Sequence, residues 1–146
     1  MTQVDPRDIV LAFVESINQH NVESLCNLMS ADHEFVDSLG NRLKGREEMR
    51  KAWIGYFYMI PDYRISCGMV VQDQNTVALF GIARGTYAVK GELLKKNRWE
   101  MPIALRAVVT EGFVSEWQVY ADNEPVRQIM AAADQKPGAS NPTSKH

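Results

Sequence analysis

The amino-acid sequence predicts one α+β domain, with helices in its N-terminal half and a strongly curved, mostly antiparallel sheet in its C-terminal half. Two observations carry this. Apolar residues recur at helical spacing as far as Ile60 and alternate one by one from Tyr63 onward. The alternating runs are long, and short turn sequences, Asp73-Gln74-Asn75 and Thr110-Glu111-Gly112, separate two of the pairs, which marks hairpins.

The first helix starts at Asp5-Pro6-Arg7-Asp8. Asp5 offers a side-chain acceptor for the cap, proline suits the first helical position, and Asp8 complements the positive end of the helix dipole. Ile9, Val10, Phe13, Val14 and Ile17 mark its buried face, and it ends near His20-Asn21. A second, short helix carries Val22, Leu25, Leu28 and Met29 and breaks at Ser30-Ala31-Asp32. Residues 34–37 read as a short extended segment before a turn at Ser38-Leu39-Gly40-Asn41. Gly45 precedes a third helix, with Met49, Ala52, Trp53, Tyr56, Phe57 and Ile60 on one side, which stops at Pro61-Asp62. Strands are expected at 64–72, 76–86, 98–110 and 113–121. The polar, basic stretch 89–97 reads as a longer connection or a protruding hairpin tip, and Asn123-Glu124-Pro125 opens a short final helix through Val126, Ile129 and Met130. The domain is expected to span 5–133, followed by a flexible tail at 134–146 that has too little apolar surface to order itself.

Composition narrows the function classes. At 146 residues and 45% apolar, the chain can bury a core without metal or disulfide staples. A net charge of −2 gives no footprint for nucleic acid or anionic membrane, and the cluster Lys90, Lys95, Lys96 and Arg98 reads as a solvated loop. No stretch approaches the length of a membrane span. Cys26 and Cys67 each stand among apolar neighbours and read as buried free thiols of a reducing compartment. With no long apolar run at Met-Thr-Gln-Val-Asp-Pro, a signal peptide is not expected and the cytoplasm is the expected location.

Catalytic signatures of the common kinds are missing: no Gly-rich phosphate loop, Cys-x-x-Cys, His-Glu-x-x-His or Gly-x-Ser-x-Gly. His20, His33 and His146 are too scattered for a metal site, and neither metal nor cofactor is expected. A pocket argument remains. Phe13, Trp53, Tyr56, Phe57, Trp99 and Trp117 come from different elements and either fill the core or wall a cavity at the open end of the curved sheet. Asp37 follows the apolar pair Phe35-Val36. In an apolar mouth, desolvation raises the pKa of a carboxylate and makes it a usable base; in a turn, the same Asp simply caps Gly40 or Asn41.

These residues also carry a resemblance. Residues 31–40, the aromatic helix after Gly45, Pro61-Asp62, Met101-Pro102-Ile103 and the run 111–120 resemble the NTF2-like superfamily. Within it the chain is most similar to the SnoaL-like polyketide cyclases and ketosteroid isomerase. The resemblance implies a cone-shaped α+β fold whose pocket takes a small hydrophobic molecule. It also implies a homodimer through the outer sheet face, where Glu100, Glu116, Gln118 and Tyr120 would lie. Asp37 falls where the isomerase keeps its proton-shuttling Asp, so an isomerase or cyclase abstracting a proton beside a carbonyl is implied. Phe13 and Ala104 fall where that enzyme keeps its two oxyanion donors, and Trp53 replaces a supporting Tyr. Val119 stands where the cyclases and limonene epoxide hydrolases keep an essential Asp. A non-catalytic binding or dimerisation module of the same fold is the alternative.

Trp53, Phe57, Trp99, Trp117 and Val119 complete the expected pocket, with Phe13 and Ala104. Alternation turns Trp99, Met101, Ile103 and Leu105 inward, whereas the resemblance turns Ala104 and Arg106 inward. A β-bulge near Pro102 would reconcile the two and bring Arg106 to Asp37 as a replacement donor.

Overall fold

Helix α1 (Pro6–Asn18) begins as its sequence dictates, with the Asp5 carboxylate accepting the Arg7 N–H and proline just inside. It ends in a Schellman turn: His20 N–H donates to Ile17 O and Asn21 N–H to Ser16 O, and His20 takes a left-handed φ of 56°. Helix α2 (Val22–Leu28), capped by Asn21, passes directly into strand β1 (Met29–Val36). The helix thus ends just before Ser30-Ala31-Asp32, where its break is expected, but those residues continue as strand and the extended segment starts earlier than 34. Polar side chains there are accommodated because Ala31 and Asp32 are exposed, while Met29 and His33 are buried.

A short strand β2 (Arg42–Lys44), not foreseen, pairs back on β1 and leads to helix α3 (Arg46–Met59). Strands β3 (Arg64–Asp73), β4 (Thr76–Thr86), β5 (Arg98–Thr110) and β6 (Phe113–Tyr120) follow, close to the ranges that alternation marks. Between β4 and β5 the chain forms a bridge from Val89 to Glu92 and a 3₁₀ turn at Lys95–Asn97. Helix α4 (Glu124–Asp134) closes the described structure. The computed structural model describes residues 4–134, so Asp134 is helical and the tail expected after it lies outside the described residues.

The six strands form one sheet in the order β2-β1-β6-β5-β4-β3, antiparallel except for the parallel pair β1–β6. Register shifts occur in β3 between Cys67 and Met69 and at the β5–β6 pairing between Val108 and Val109. β3 presses onto β4 at Gly81, where a Cβ would lie 1.9 Å from the Ser66 carbonyl oxygen. At Gly85 a Cβ would lie 2.3 Å from Ile60 Cγ2 and 3.2 Å from the Trp99 ring. These two inward glycines let the sheet bend tightly at one end.

Val10, Phe13 and Ile17 of α1 meet Leu79 and Trp117 of the sheet in a core closed by Leu25 and Met29. Each side chain so withdrawn from water contributes roughly 1.5–3 kcal/mol. Helix α3 packs mainly on α2, β1 and β2, and only Met49 and Trp53 of it are buried. Space is thereby left between α3 and the middle of the sheet. Helix α4 has no buried residue; it lays Val126 and Ile129 against the core. Hydrogen bonds pin it near both ends, from Asn123 Nδ2 to Ser38 Oγ (2.9 Å) and from the Tyr87 hydroxyl to Asp134 Oδ1 (2.8 Å).

Candidate functional site

The space under α3 is a cavity of about 230 Å³. Its walls are Trp53 and Tyr56 of α3, Tyr63 at the entry to β3, Ala83 of β4, Trp99, Met101 and Ile103 of β5, and Trp117 and Val119 of β6. Phe35, Asp37, Ser38 and Asn123 also line it, and Asp37 is its one charged residue among the described residues.

Asp37 sits one residue past β1, at the start of the turn anticipated there. Its Oδ1 accepts the N–H groups of Leu39 and Asn41, each at 2.9 Å, and its Oδ2 accepts Asn41 Nδ2 at 3.2 Å. Slight burial opposes its charge, but the N–H groups of Asn41, Leu39 and Gly40 prevail and hold the carboxyl below its ordinary value. The upward shift expected in an apolar mouth does not occur. A carboxylate offers roughly four lone-pair positions, so the three bonds leave one free on Oδ2.

Of the other expected pocket residues, Trp53, Trp99, Trp117 and Val119 line the cavity. Phe13 and Phe57 do not. Phe13 is wholly buried behind Trp117, ring centroids 4.6 Å apart, and Phe57 stacks on the His20 imidazole at 4.2 Å. Ala104 and Arg106 face the opposite side of the sheet. The β4–β5 register runs unbroken from Thr86–Arg98 to Thr76–Val108, and Pro102 pairs outward with Ile82, so no bulge turns Arg106 inward. Arg106 instead donates to Glu116 Oε1 at 2.9 Å. Arg42 donates to Glu116 Oε2 at 3.2 Å and to Glu34 at 2.9 Å. Burial works against the Glu116 charge, but Arg106 and Arg42 together hold its carboxyl below the usual range.

Two further cavity-lining residues are Tyr56, which the sequence already marks among the aromatics that could wall a cavity, and Tyr63, which it does not. Their rings meet edge to face, centroids 4.9 Å apart at 88°. Burial drives both phenol pKa values up, so the hydroxyls are neutral donors. Tyr56 recurs at helical spacing from Trp53, which is why it is legible as a wall residue; Tyr63 follows a helix stop and carried no such signal. The indole N–H groups of Trp53 and Trp99 are buried without a partner among the described residues. No group of three or more metal-ligating side chains occurs among the described residues.

The family of SnoaL-like domains matches residues 10–127, from α1 to α4. This chain belongs to it. A comparison with curated proteins finds no match for this SnoaL-like domain. Among solved structures it resembles a ketosteroid isomerase-like protein of Catenulispora acidiphila, in complex with trimethylamine, at 22% identity and a TM-score of 0.72 over 89% of this chain and 98% of that one. It is similar to IdmH of Streptomyces antibioticus, described as a candidate polyketide cyclase, at 22% identity and a TM-score of 0.72, covering 88% and 99%. A candidate SnoaL-like polyketide cyclase of Shewanella denitrificans aligns with a TM-score of 0.75 at 10% identity, over 87% and 97%. At these identities the likeness establishes the fold. Unlike a closed barrel, the SnoaL-like sheet here is open at β2 and β3.

Proposed function

We propose that the cavity takes a small, mostly apolar ring compound and that Asp37 removes a proton from the carbon beside its carbonyl, as an isomerase or cyclase does. The supporting observation is the single carboxylate, with a free lone pair, on the rim of an otherwise uncharged and mostly apolar cavity. Oδ2 takes the proton, the C–H electron pair moves to the carbonyl as an enolate, and the proton returns to the same or another carbon. A carboxyl held below its ordinary value is fully ionised at neutral pH but is a weak base, so the reaction depends on a ligand whose enolate the cavity stabilises.

The test is deuterium exchange at the α-carbon of a cyclic ketone in heavy water, followed by NMR. Wild type exchanges and Asp37→Asn does not; exchange that survives the substitution removes Asp37 as the base. The three hydrogen bonds on Asp37 favour a second reading, a binding module in which the carboxylate only shapes the mouth. In that case the ketone raises the melting temperature of wild type and Asp37→Asn alike, and neither exchanges it.

We further infer a homodimer through the outer sheet face, where Met69, Phe80, Ala104 and Tyr120 form one cross-strand row. Met69, Phe80 and Tyr120 are 57%, 43% and 49% exposed, an apolar stripe that a second copy would cover. Sedimentation of Phe80→Glu should give a monomer where wild type gives a dimer. Free Cys26 and Cys67 support a reducing, cytoplasmic location.

A further inference from the structure

The connection from β4 to β5 forms a tightly tied tip. Lys90 and Gly91 both take positive φ, 52° and 80°. They lie between Val89 and Glu92, which exchange N–H···O bonds at 3.0 and 2.9 Å. This is the two-residue turn that suits a hairpin. The base of the tip is stitched by Tyr87 N–H to Asn97 O (3.1 Å) and by Ala88 N–H to Met59 O (2.8 Å). Asn97 N–H in turn donates to Leu94 O at 2.9 Å. Asn97 is buried and anchors the tip, while every residue from Lys90 to Lys96 is exposed. Leu93 and Leu94, 46% and 37% exposed, therefore face water from a backbone that is held in place.

Cations surround this apolar pair. Lys90, Lys95, Lys96 and Arg98 stand against one acid in the same segment, Glu92. None of the four cations forms an ion pair among the described residues, whereas Arg42, Arg50, Arg84, Arg106 and Arg127 all do. At the base, Asp134 is occupied by the Tyr87 hydroxyl. The net charge of −2 hides this local excess, because the acids lie elsewhere on the chain. An exposed apolar centre with a charged rim marks a contact surface.

The chemistry of the patch selects among partners. At an anionic lipid surface, apolar side chains enter the boundary between headgroups and acyl chains while lysines and arginines meet the phosphates. Nucleic acid would use the cations but leave both leucines in water, and single strands are held by aromatic stacking, which the tip does not offer. A second copy of the tip would set like charges against each other.

We propose that the tip at 90–98 is a peripheral docking site for an anionic membrane surface, with Leu93 and Leu94 entering the headgroup layer and the four cations contacting lipid phosphates. The tip is continuous with two walls of the cavity, β4 through Ala83 and β5 from Trp99. Docking thus holds the cavity close to a layer in which apolar ring compounds concentrate. The site lies outside the cavity and does not depend on what the cavity does.

The test is co-sedimentation of the whole chain with vesicles of phosphatidylcholine, alone or with roughly 30% phosphatidylserine. Wild type should sediment with the anionic vesicles, remain free of the neutral ones, and be released by salt. Each basic residue near such a surface changes partition about fivefold, so Lys95→Gln with Lys96→Gln should lower it about twenty-five-fold. Leu93→Ser with Leu94→Ser leaves the charge unchanged and should lower partition at least about tenfold. Arg7→Gln with Lys51→Gln removes the same charge elsewhere and should change it less than about threefold. All these side chains are exposed, so melting temperatures should stay at the wild-type value.

Failure of wild type to bind anionic vesicles overturns the proposal. An equal loss in the Arg7 and Lys51 variant does so too, because net charge and not the tip would then be the cause. Binding that needs the lysines but not the leucines would mark an acidic protein or a nucleic acid as the partner and overturn the membrane reading. Deuterium exchange of a ketone is measured without vesicles, so a failure here is distinct from a failure of the proposed reaction.

Discussion

Strands β5 and β6 present two faces built from alternate residues of the same chain. Towards the helices they offer Trp99, Met101, Ile103, Leu105 and Trp117, all buried. On the other side they offer Pro102, Ala104, Arg106, Glu116 and Tyr120, with Arg106, Glu116, Arg42 and Glu34 joined in one ion network. The inner face derives its free energy from burial and shape, so it responds steeply to small changes. The outer ion pairs join half-exposed arginines to Glu34 and the less exposed Glu116, and at such a surface attraction is weak and each long side chain loses freedom by pairing. A residue's register position therefore says more about its importance to the fold than its chemistry does.

Four substitutions or conditions test that contrast. Trp117→Ala, which empties space against Phe13, should cost about 3–5 kcal/mol in urea unfolding, and a loss under about 1 kcal/mol would show that the inner wall is not tightly packed. Gly85→Ala should cost about 1–3 kcal/mol, because its methyl group meets Ile60 and the Trp99 ring.

The third concerns His33, fully buried between β1 and the core, with Nδ1–H donating to Val114 O at 2.7 Å. Burial lowers its pKa, although the Val114 bond and nearby acids pull the other way. The folded protein thus keeps the ring neutral while the unfolded chain protonates it near pH 6.5. Its contribution is complete above about pH 6.5 and is lost as pH falls from there to the folded pKa, by up to about 1.4 kcal/mol per pH unit. Urea midpoints at pH 7.5 and 5.5 should differ in wild type and differ less in His33→Gln; equal differences would acquit the histidine.

The smallest effect is expected at Arg106→Met: under about 1 kcal/mol on unfolding, with affinity for a cyclic ketone unchanged. If that substitution abolished ketone binding, the separation of the two faces would be wrong.

How far these features can be read from the sequence depends on the kind of signal each carries. Trp99, Met101, Ile103 and Leu105 alternate strictly with their polar or small neighbours, and burial follows that alternation residue for residue. The same rule placed Arg106 outside, against the position suggested by resemblance, because an unbroken β4–β5 ladder left no room for a bulge at Pro102. Strand β1 was half legible, since Ser30, Ala31 and Asp32 look like a break, and the parallel partner β6, from a distant part of the chain, pairs with Met29 and with Glu34 to Val36 on either side of them. Asp37 was legible as a residue of the cavity mouth, but its pKa direction depends on three N–H groups of its own turn, whose geometry composition does not reveal. Tyr63 was hidden for another reason: its place is set by His20, which lies 43 residues away in sequence.

Helix α4 carries a consequence of a different kind. An element that buries no residue fully and is held by a hydrogen bond near each end has little cooperative tie to the sheet. Its amides should exchange with solvent through local openings that leave the β4–β5–β6 ladder intact, at a free energy well below that of global unfolding. Asn123, which leads into the helix, is also part of the cavity rim. The energy scale on which the mouth rearranges is then set at the surface and is largely independent of the energy scale that keeps the cone folded.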